Sequence, residues 1–204
     1  MKELKAIDLK RANVPKRFWD VALSKIPEGL GYKDKLRNYL SNIEEAYEKG
    51  AGLYLWSEEN STGKTSAAVI VLKFMLRMRK TAYFEESWRL KNAVIRKEEI
   101  EEGYSIEDRV RHVDLLVLDD IGKEYRTDSG FAENTIEGII RDRTQNLKIT
   151  ILTGNIVPNQ IKKMYSEDLN EIFKETCVPV RVVGHDWRKE KAKEIYSIVE
   201  EGGG

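Results

Sequence analysis

The chain is poor in the residues that build covalent or metal frameworks: one cysteine, two histidines and four prolines in 204 residues. A lone Cys177 excludes an intramolecular disulfide, and with only His112 and His185 beside it the usual zinc ligand sets are not to hand. No apolar run approaches the ~18 residues of a membrane span, and the opening residues do not read as a signal peptide. Net charge is missing too. Thirty-five basic residues balance 35 acidic ones, so no global field draws the molecule to nucleic acid and any such contact must come from a local patch. The expectation is a soluble cytoplasmic protein with no membrane partner. What is abundant is 41% hydrophobic and 34% charged residues, the make-up of one globular domain that buries about 70% of its unfolded surface.

Along the chain, residues 1–17 hold six basic residues against Glu3 and Asp8, with Pro15 interrupting any helix; they read as a basic N-terminal arm, either solvated or contacting single-stranded DNA or a partner. Leu36, Leu40, Ile43 and Tyr47 predict one amphipathic helix over 33–49. An apolar strand follows at 53–56, then a helix at 64–79 that is apolar all round and therefore buried. Short strands are expected at 81–84, 115–120, 148–152 and 178–183, the last either at a sheet edge or irregular because of Pro179. Helical periodicity recurs from Trp88 and from about Phe131, with Glu98–Glu102 a solvated face or loop. A charged helix is expected over 187–200, before Gly202–Gly204. Strands alternating with helices predict a parallel α/β sheet. The domain plan is an arm (1–17), a nucleotide-binding domain (18–190), and a C-terminal helix with a disordered tail (191–204).

Two segments carry chemistry. Gly52–Trp56 runs into Ser57-Glu58-Glu59-Asn60-Ser61-Thr62-Gly63-Lys64-Thr65, and Leu115–Leu118 ends in Asp119-Asp120. The first has the form of a phosphate loop. Backbone N–H groups converge at a helix start, Gly63 permits close approach, Lys64 offers a point charge to phosphates, and the Thr65 hydroxyl suits magnesium. Ser61 and Thr62 complete the loop. In the second, Asp119 stands where a carboxylate holds magnesium through water, and Asp120 where an acid polarises an attacking water. Asn155, at the end of the next strand, is placed either to orient that water or simply to make a turn with Gly154. The ligands implied are ATP or ADP with Mg2+.

The phosphate loop departs from G-x-x-x-x-G-K-[ST]: Glu58 occupies the first glycine position and Ser61 the inner one. At an effective dielectric of 20, an anionic side chain about 6 Å from a phosphate costs roughly 3 kcal/mol, a penalty that mostly vanishes if Glu58 and Glu59 point outward.

Arg11-Ala12-Asn13-Val14-Pro15-Lys16-Arg17-Phe18, Thr62–Thr65, Leu116–Glu124, Thr153-Gly154-Asn155 and Gly184-His185-Asp186-Trp187-Arg188 occur in that order. Over residues 11–190 this pattern resembles the AAA+ domain of DnaC/DnaI-type bacterial and phage helicase loaders, and also the IstB-type transposition ATPases. The resemblance implies a P-loop NTPase fold of the RecA/ASCE-like kind, a five-stranded parallel sheet flanked by helices with little or no lid. It implies that Lys64 and Thr65 bind phosphate and magnesium, that Asp119 binds the metal, and that Asp120 and Asn155 are the catalytic acid and sensor 1. Arg188 becomes a candidate sensor 2, and Arg17 and Phe18 lie beside the adenine, the alternative being that Phe18 and Trp19 simply pack in the core. The implied partner is a hexameric replicative helicase in DNA replication, with single-stranded DNA and further copies of the chain as additional partners.

One departure bears on turnover. The arginine that such proteins often carry before the Gly-x-Asp motif is absent from Asn170-Glu171-Ile172-Phe173-Lys174, and a lysine does not reproduce a planar bidentate contact. Arg141, Arg143 and Arg181 remain as substitutes, each more simply read as a surface charge. The expectation is a nucleotide-switched helicase loader with slow or weak hydrolysis. The alternatives are a non-catalytic adaptor that binds a helicase or initiator, and an IstB-type transposition helper.

Overall fold

The structure, a computed structural model, describes residues 2–101, 103–122, 131–163, 165–184, 189, 192–193 and 195–197. In chain order it comprises α1 (Ala6–Arg11), α2 (Gly31–Ser41), α3 (Ile43–Lys49), β1 (Gly52–Trp56), α4 (Lys64–Arg77), β2 (Ala82–Glu86), α5 (Ser87–Arg96), β3 (Glu99–Glu101), β4 (Tyr104–Ser105), α6 (Ile106–His112), β5 (Leu115–Ile121), α7 (Phe131–Gln145), β6 (Ile149–Gly154), α8 (Glu167–Thr176) and β7 (Cys177–Arg181). Five strands form one parallel sheet in the order β2-β5-β6-β1-β7, and β3 and β4 form a small antiparallel pair.

The central strands are apolar throughout because both faces of the sheet are covered. Leu53, Leu55, Leu115, Val117, Ile149 and Ile151 point to the face packed by α4, whose Ala67–Leu72 are all buried. Tyr54, Leu116, Leu118 and Leu152 point to the other face, against Leu90 of α5, Ile136 and Ile139 of α7, and Leu169 and Phe173 of α8. The result is a three-layer α/β sandwich. The chain leaves β1 towards β2 on one side and returns from β6 to β7 on the other. The carboxyl end of β1 is therefore the topological switch point, where open α/β sheets bind ligands.

Several local expectations change. The helix expected over 33–49 is two helices, broken at Asn42, whose φ of −110° is not helical. Within Glu98–Glu102, read as a solvated face or loop, Glu99–Glu101 instead forms β3, which pairs with β4 at Tyr104–Ser105, and α6 follows with Ser105 accepting the Asp108 N–H as its cap. The stretch read as a basic arm contains α1, and Leu9, Ala12 and Val14 lie in the core. The Ala12 carbonyl accepts the Phe84 N–H (2.9 Å) and the Asn13 side chain donates to the Phe84 carbonyl (3.0 Å), so this segment closes the β2 edge of the sheet. Helix α8 has no counterpart in the sequence reading. The Pro179 strand lies at the opposite edge, as its proline requires. Most of the expected helix over 187–200, and the Gly202–Gly204 tail, fall outside the described residues.

Candidate functional site

The loop from Ser57 to Gly63 joins β1 to α4 at the switch point. Gly63 caps α4 with φ 97°, a left-handed conformation natural to glycine, and the helix starts with Lys64. Ser61, at the inner-glycine position, also adopts a left-handed φ of 65°. The backbone path of a glycine-bearing loop is thus retained by a serine, at a local cost of roughly 1–2 kcal/mol. The Lys64 ammonium is mostly buried and donates to the Glu59 carbonyl of its own loop at 2.8 Å. Glu58 has no positive φ and is 61% exposed, with Arg181 Nη2 3.4 Å from its carboxylate. The expected repulsion between Glu58 and phosphate is thereby largely screened by water and by a neighbouring cation.

Three strand ends converge beside the loop. The Thr65 hydroxyl donates to Asp119 Oδ2 at 3.2 Å, and the Thr153 hydroxyl, on β6, donates to Asp119 Oδ1 at 2.6 Å. Burial pushes the Asp119 carboxyl up to about 6; the Thr153 and Thr65 hydrogen bonds pull it back, while the charges of Asp120 and Glu86 raise it. At Asp120 the β5–β6 register slips between Leu118 and Ile121, and φ is 63°. The Asp120 N–H turns to Thr153 Oγ1 (2.9 Å), and its carbonyl accepts the Ser87 hydroxyl (2.9 Å). A bulge of this kind re-aims the side chain that follows the metal carboxylate. Asn155 Nδ2 donates to Asn60 Oδ1 of the loop at 3.1 Å.

Two buried polar atoms at this site, Thr62 Oγ1 and Asn155 Oδ1, have no hydrogen-bond partner among the described residues. Polar atoms in that condition call for water or a polar ligand. The facing Thr65 hydroxyl and Asp119 carboxylate are an all-oxygen pair that suits magnesium. Among the described residues no cluster of three carboxylate, imidazole or thiol groups completes a protein-only metal cage. A cation here takes its remaining ligands from phosphate and water, as magnesium does. The residues present therefore fit ATP-Mg.

The structure brings together Ser61, Thr62, Gly63, Lys64, Thr65, Asp119, Asp120 and Asn155. It places Arg17 and Phe18 elsewhere. Phe18 packs 6.5 Å from the Phe84 ring on β2, with the Arg17 guanidinium 4.5 Å above it. Strand β2 is separated by β5 and β6 from β1, which leads into the loop, roughly 14 Å between the two strand axes. Arg188, with His185, Asp186 and Trp187, lies outside the described residues, as do Lys123 and Glu124. The arginine substitutes separate clearly. Arg143 is not a surface charge. It is fully buried and donates to the carbonyls of Val110 (2.7 Å), Val113 (2.9 Å) and Ile149 (2.6 Å) and to Thr150 Oγ1 (3.0 Å). It cannot reach another molecule. Arg141 lies 3.6 Å from Asp168, and Lys174 pairs with Glu171 at 2.6 Å. Arg181, paired with Trp56 in the sheet register and 5.4 Å from its ring, is the basic residue at the loop itself.

Sequence reasoning missed Thr153 and Asn60 as site residues. A signal for Thr153 was present: if β5 and β6 are neighbours, the residue before Gly154-Asn155 falls beside Asp119. Asn60 needed coordinates, and so did the choice of Arg181 among the three arginines weighed as substitutes.

No family model matches the sequence, and no curated protein matches it. Solved structures do. A DnaC helicase loader superposes with a TM-score of 0.69 at 24% identity, over 83% of this chain and 100% of that one. DnaI superposes at 0.69 and 19% identity, over 84% and 93%. The replication initiator DnaA bound to AMPPCP and single-stranded DNA superposes at 0.65 and 18% identity, over 86% and 55%. The fold is the α/β fold of these proteins, a five-stranded parallel sheet covered by helices on both faces.

Proposed function

We propose that this chain binds ATP-Mg at the Ser57–Thr65 loop and acts as a loader of a hexameric replicative helicase, with nucleotide state as a conformational switch. The observation that carries the reading is the convergence of Lys64, Thr65, Asp119, Thr153 and Asn155 at the carboxyl edge of a loader-like fold. Lys64 exchanges the Glu59 carbonyl for phosphate oxygen. Thr65 and Asp119 supply oxygen ligands to magnesium, which neutralises phosphate charge when bound. Asp120, set apart from Asp119 by the bulge, orients and accepts a proton from water. Asn155 exchanges Asn60 for the terminal phosphate or its water, and so ties the loop to the sensor strand. A switch requires only that one nucleotide state be bound better by one conformation of the chain.

Slow turnover is part of the proposal, because α8 offers lysine where such proteins often carry an arginine, and the buried Arg143 cannot serve. The same observation supports the second reading, an adaptor that grips its partner regardless of nucleotide. One pull-down with the host's hexameric replicative helicase, with and without ATP-Mg, tests both. Retention that needs ATP and Lys64 supports the loader. Retention indifferent to ATP and to Lys64→Ala supports the adaptor, and no retention refutes the loader and leaves an initiator as the adaptor's partner.

A further inference from the structure

Away from the phosphate loop, α2, α4 and the segment Val21–Leu23 enclose a groove of about 360 Å³. Its walls are apolar, formed by Leu23, Leu40, Ile70 and Phe74, and its rim carries Arg37, Lys73 and Arg77. Lys73 is only 7% exposed and is anchored by the carbonyls of Trp19 (2.5 Å) and Val21 (2.8 Å). Lys25 and Arg77 both act on Lys73 as like charges, with Asp20 the opposing acid. Arg37 is answered by Asp34 and Glu28. Among the described residues neither Lys25 nor Arg77 has an ion-pair partner. The groove is thus an apolar slot whose lining carries Arg77 without an ion-pair partner among the described residues, with the Lys25 charge near Lys73 beyond the lining, on a chain whose net charge is zero.

We propose that this groove docks an acidic, apolar-anchored helical segment of a partner protein. Apolar slots of this size take two or three side chains of an amphipathic helix, read at i, i+3, i+4 and i+7. Acidic residues flanking those anchors would meet Lys25 and Arg77, which sets orientation and association rate more than affinity. The groove lies on the helix that starts at the phosphate loop. Lys73 and Arg77 follow Lys64 by roughly 14 and 20 Å along α4. A partner seated there touches the far end of the rod whose near end holds phosphate.

The test uses the full chain without nucleotide, so its outcome is independent of the phosphate-loop reading. A synthetic 14-residue amphipathic helix, with leucines at the anchor spacing and glutamates between, is titrated beside its lysine-for-glutamate twin. Binding is followed by fluorescence anisotropy and by NMR shifts of the protein. The acidic peptide is expected to perturb Leu40, Ile70 and Phe74, and the basic twin is not. Arg77→Glu should weaken binding about tenfold while Arg77→Lys keeps it within about threefold, and raising salt from about 50 to 300 mM should weaken it several-fold. Arg77 is half-buried at the end of α4, so a melting curve for each variant shows that the fold is retained. Equal binding of the basic twin, perturbations that map elsewhere, or no binding of the acidic peptide overturns the proposal. So does concentration-dependent self-association of the unliganded chain that Arg77→Glu abolishes, because the occupant is then a second copy.

Discussion

Thr153 holds Asp119 from the neighbouring strand, its hydroxyl donating to Oδ1 at 2.6 Å while its oxygen accepts the N–H of Asp120 at 2.9 Å. One hydroxyl therefore fixes both the Asp119 carboxylate, proposed to hold magnesium, and the backbone of Asp120 that follows. Thr153→Val keeps the shape of the side chain and removes both bonds. A lost hydrogen bond to a charged group is worth about 1.5–3 kcal/mol, so magnesium-dependent ATP affinity should fall about tenfold or more. Binding measured in EDTA should change far less. Calorimetric titration with and without magnesium checks this, and equal losses in both would remove Thr153 from the metal side of the site.

Ser61→Gly should improve the protein. The left-handed φ of 65° costs a serine roughly 1–2 kcal/mol, and glycine's greater unfolded-state entropy gives back about 0.5–1. The net gain is about 0.5–1 kcal/mol, or about 2 °C in Tm for a chain of this length. Thermal melts read the stability, and ATP affinity should rise modestly alongside it. A lower Tm would mean that the serine side chain makes a compensating contact.

Asp120→Asn should fold and bind ATP almost normally. Asparagine tolerates the left-handed φ of 63° as well as aspartate does. Direct titration should give an affinity within about threefold of the parent, and any hydrolysis should be lost, as removing a general acid–base group predicts. A large loss of affinity would instead make Asp120 a ligand-binding residue.

Glu85 gives the molecule a distinctive pH profile. It is 1% exposed at the carboxyl end of β2, and burial pushes its carboxyl up to about 7. The Arg89 charge and the Glu86 N–H oppose the rise, and the charges of Glu86 and Glu98 add to it. Between the ordinary glutamate range and pH 7 the folded state holds a proton that the unfolded chain has released. Stability therefore falls as pH rises through that window, by up to about 3 kcal/mol, and is flat above it. Urea unfolding at pH 5 and pH 8 should show the decline in the parent and a smaller one in Glu85→Gln, where the buried Asp119 carboxyl, raised to about 6, still contributes. Equal slopes would assign the decline to another group.

The sheet was legible because the central strands are buried on both faces and read as unbroken apolar runs, and because Gly63-Lys64-Thr65 and Asp119-Asp120 follow two of them directly. Asn155 followed from the same logic at the next strand end. Elements whose signals are weaker went unread. Helix α8 pairs Leu169 and Phe173 with polar neighbours over only ten residues, and the β3–β4 pair hides in a run of glutamates. Arg143 shows a deeper limit. An arginine is normally exposed, and its burial depends on carbonyls from α6 and β6 that become neighbours only after folding. Phe18 shows the converse. Its motif suggested a place beside the adenine, with core packing as the alternative, and its ring packs on Phe84 of β2, as core packing expects.

The hydrogen bonds from Ala12 and Asn13 to Phe84 bear on where this chain can be cut. They cover a strand edge whose free N–H and C=O groups would otherwise template pairing with another molecule. A fragment trimmed at residue 17 would bare that edge along with the apolar pocket left by Leu9 and Val14. Such a fragment should clump with its own kind at concentrations where the longer chain stays dispersed. The opposite edge, where Pro179 interrupts the row of donors, carries its own protection.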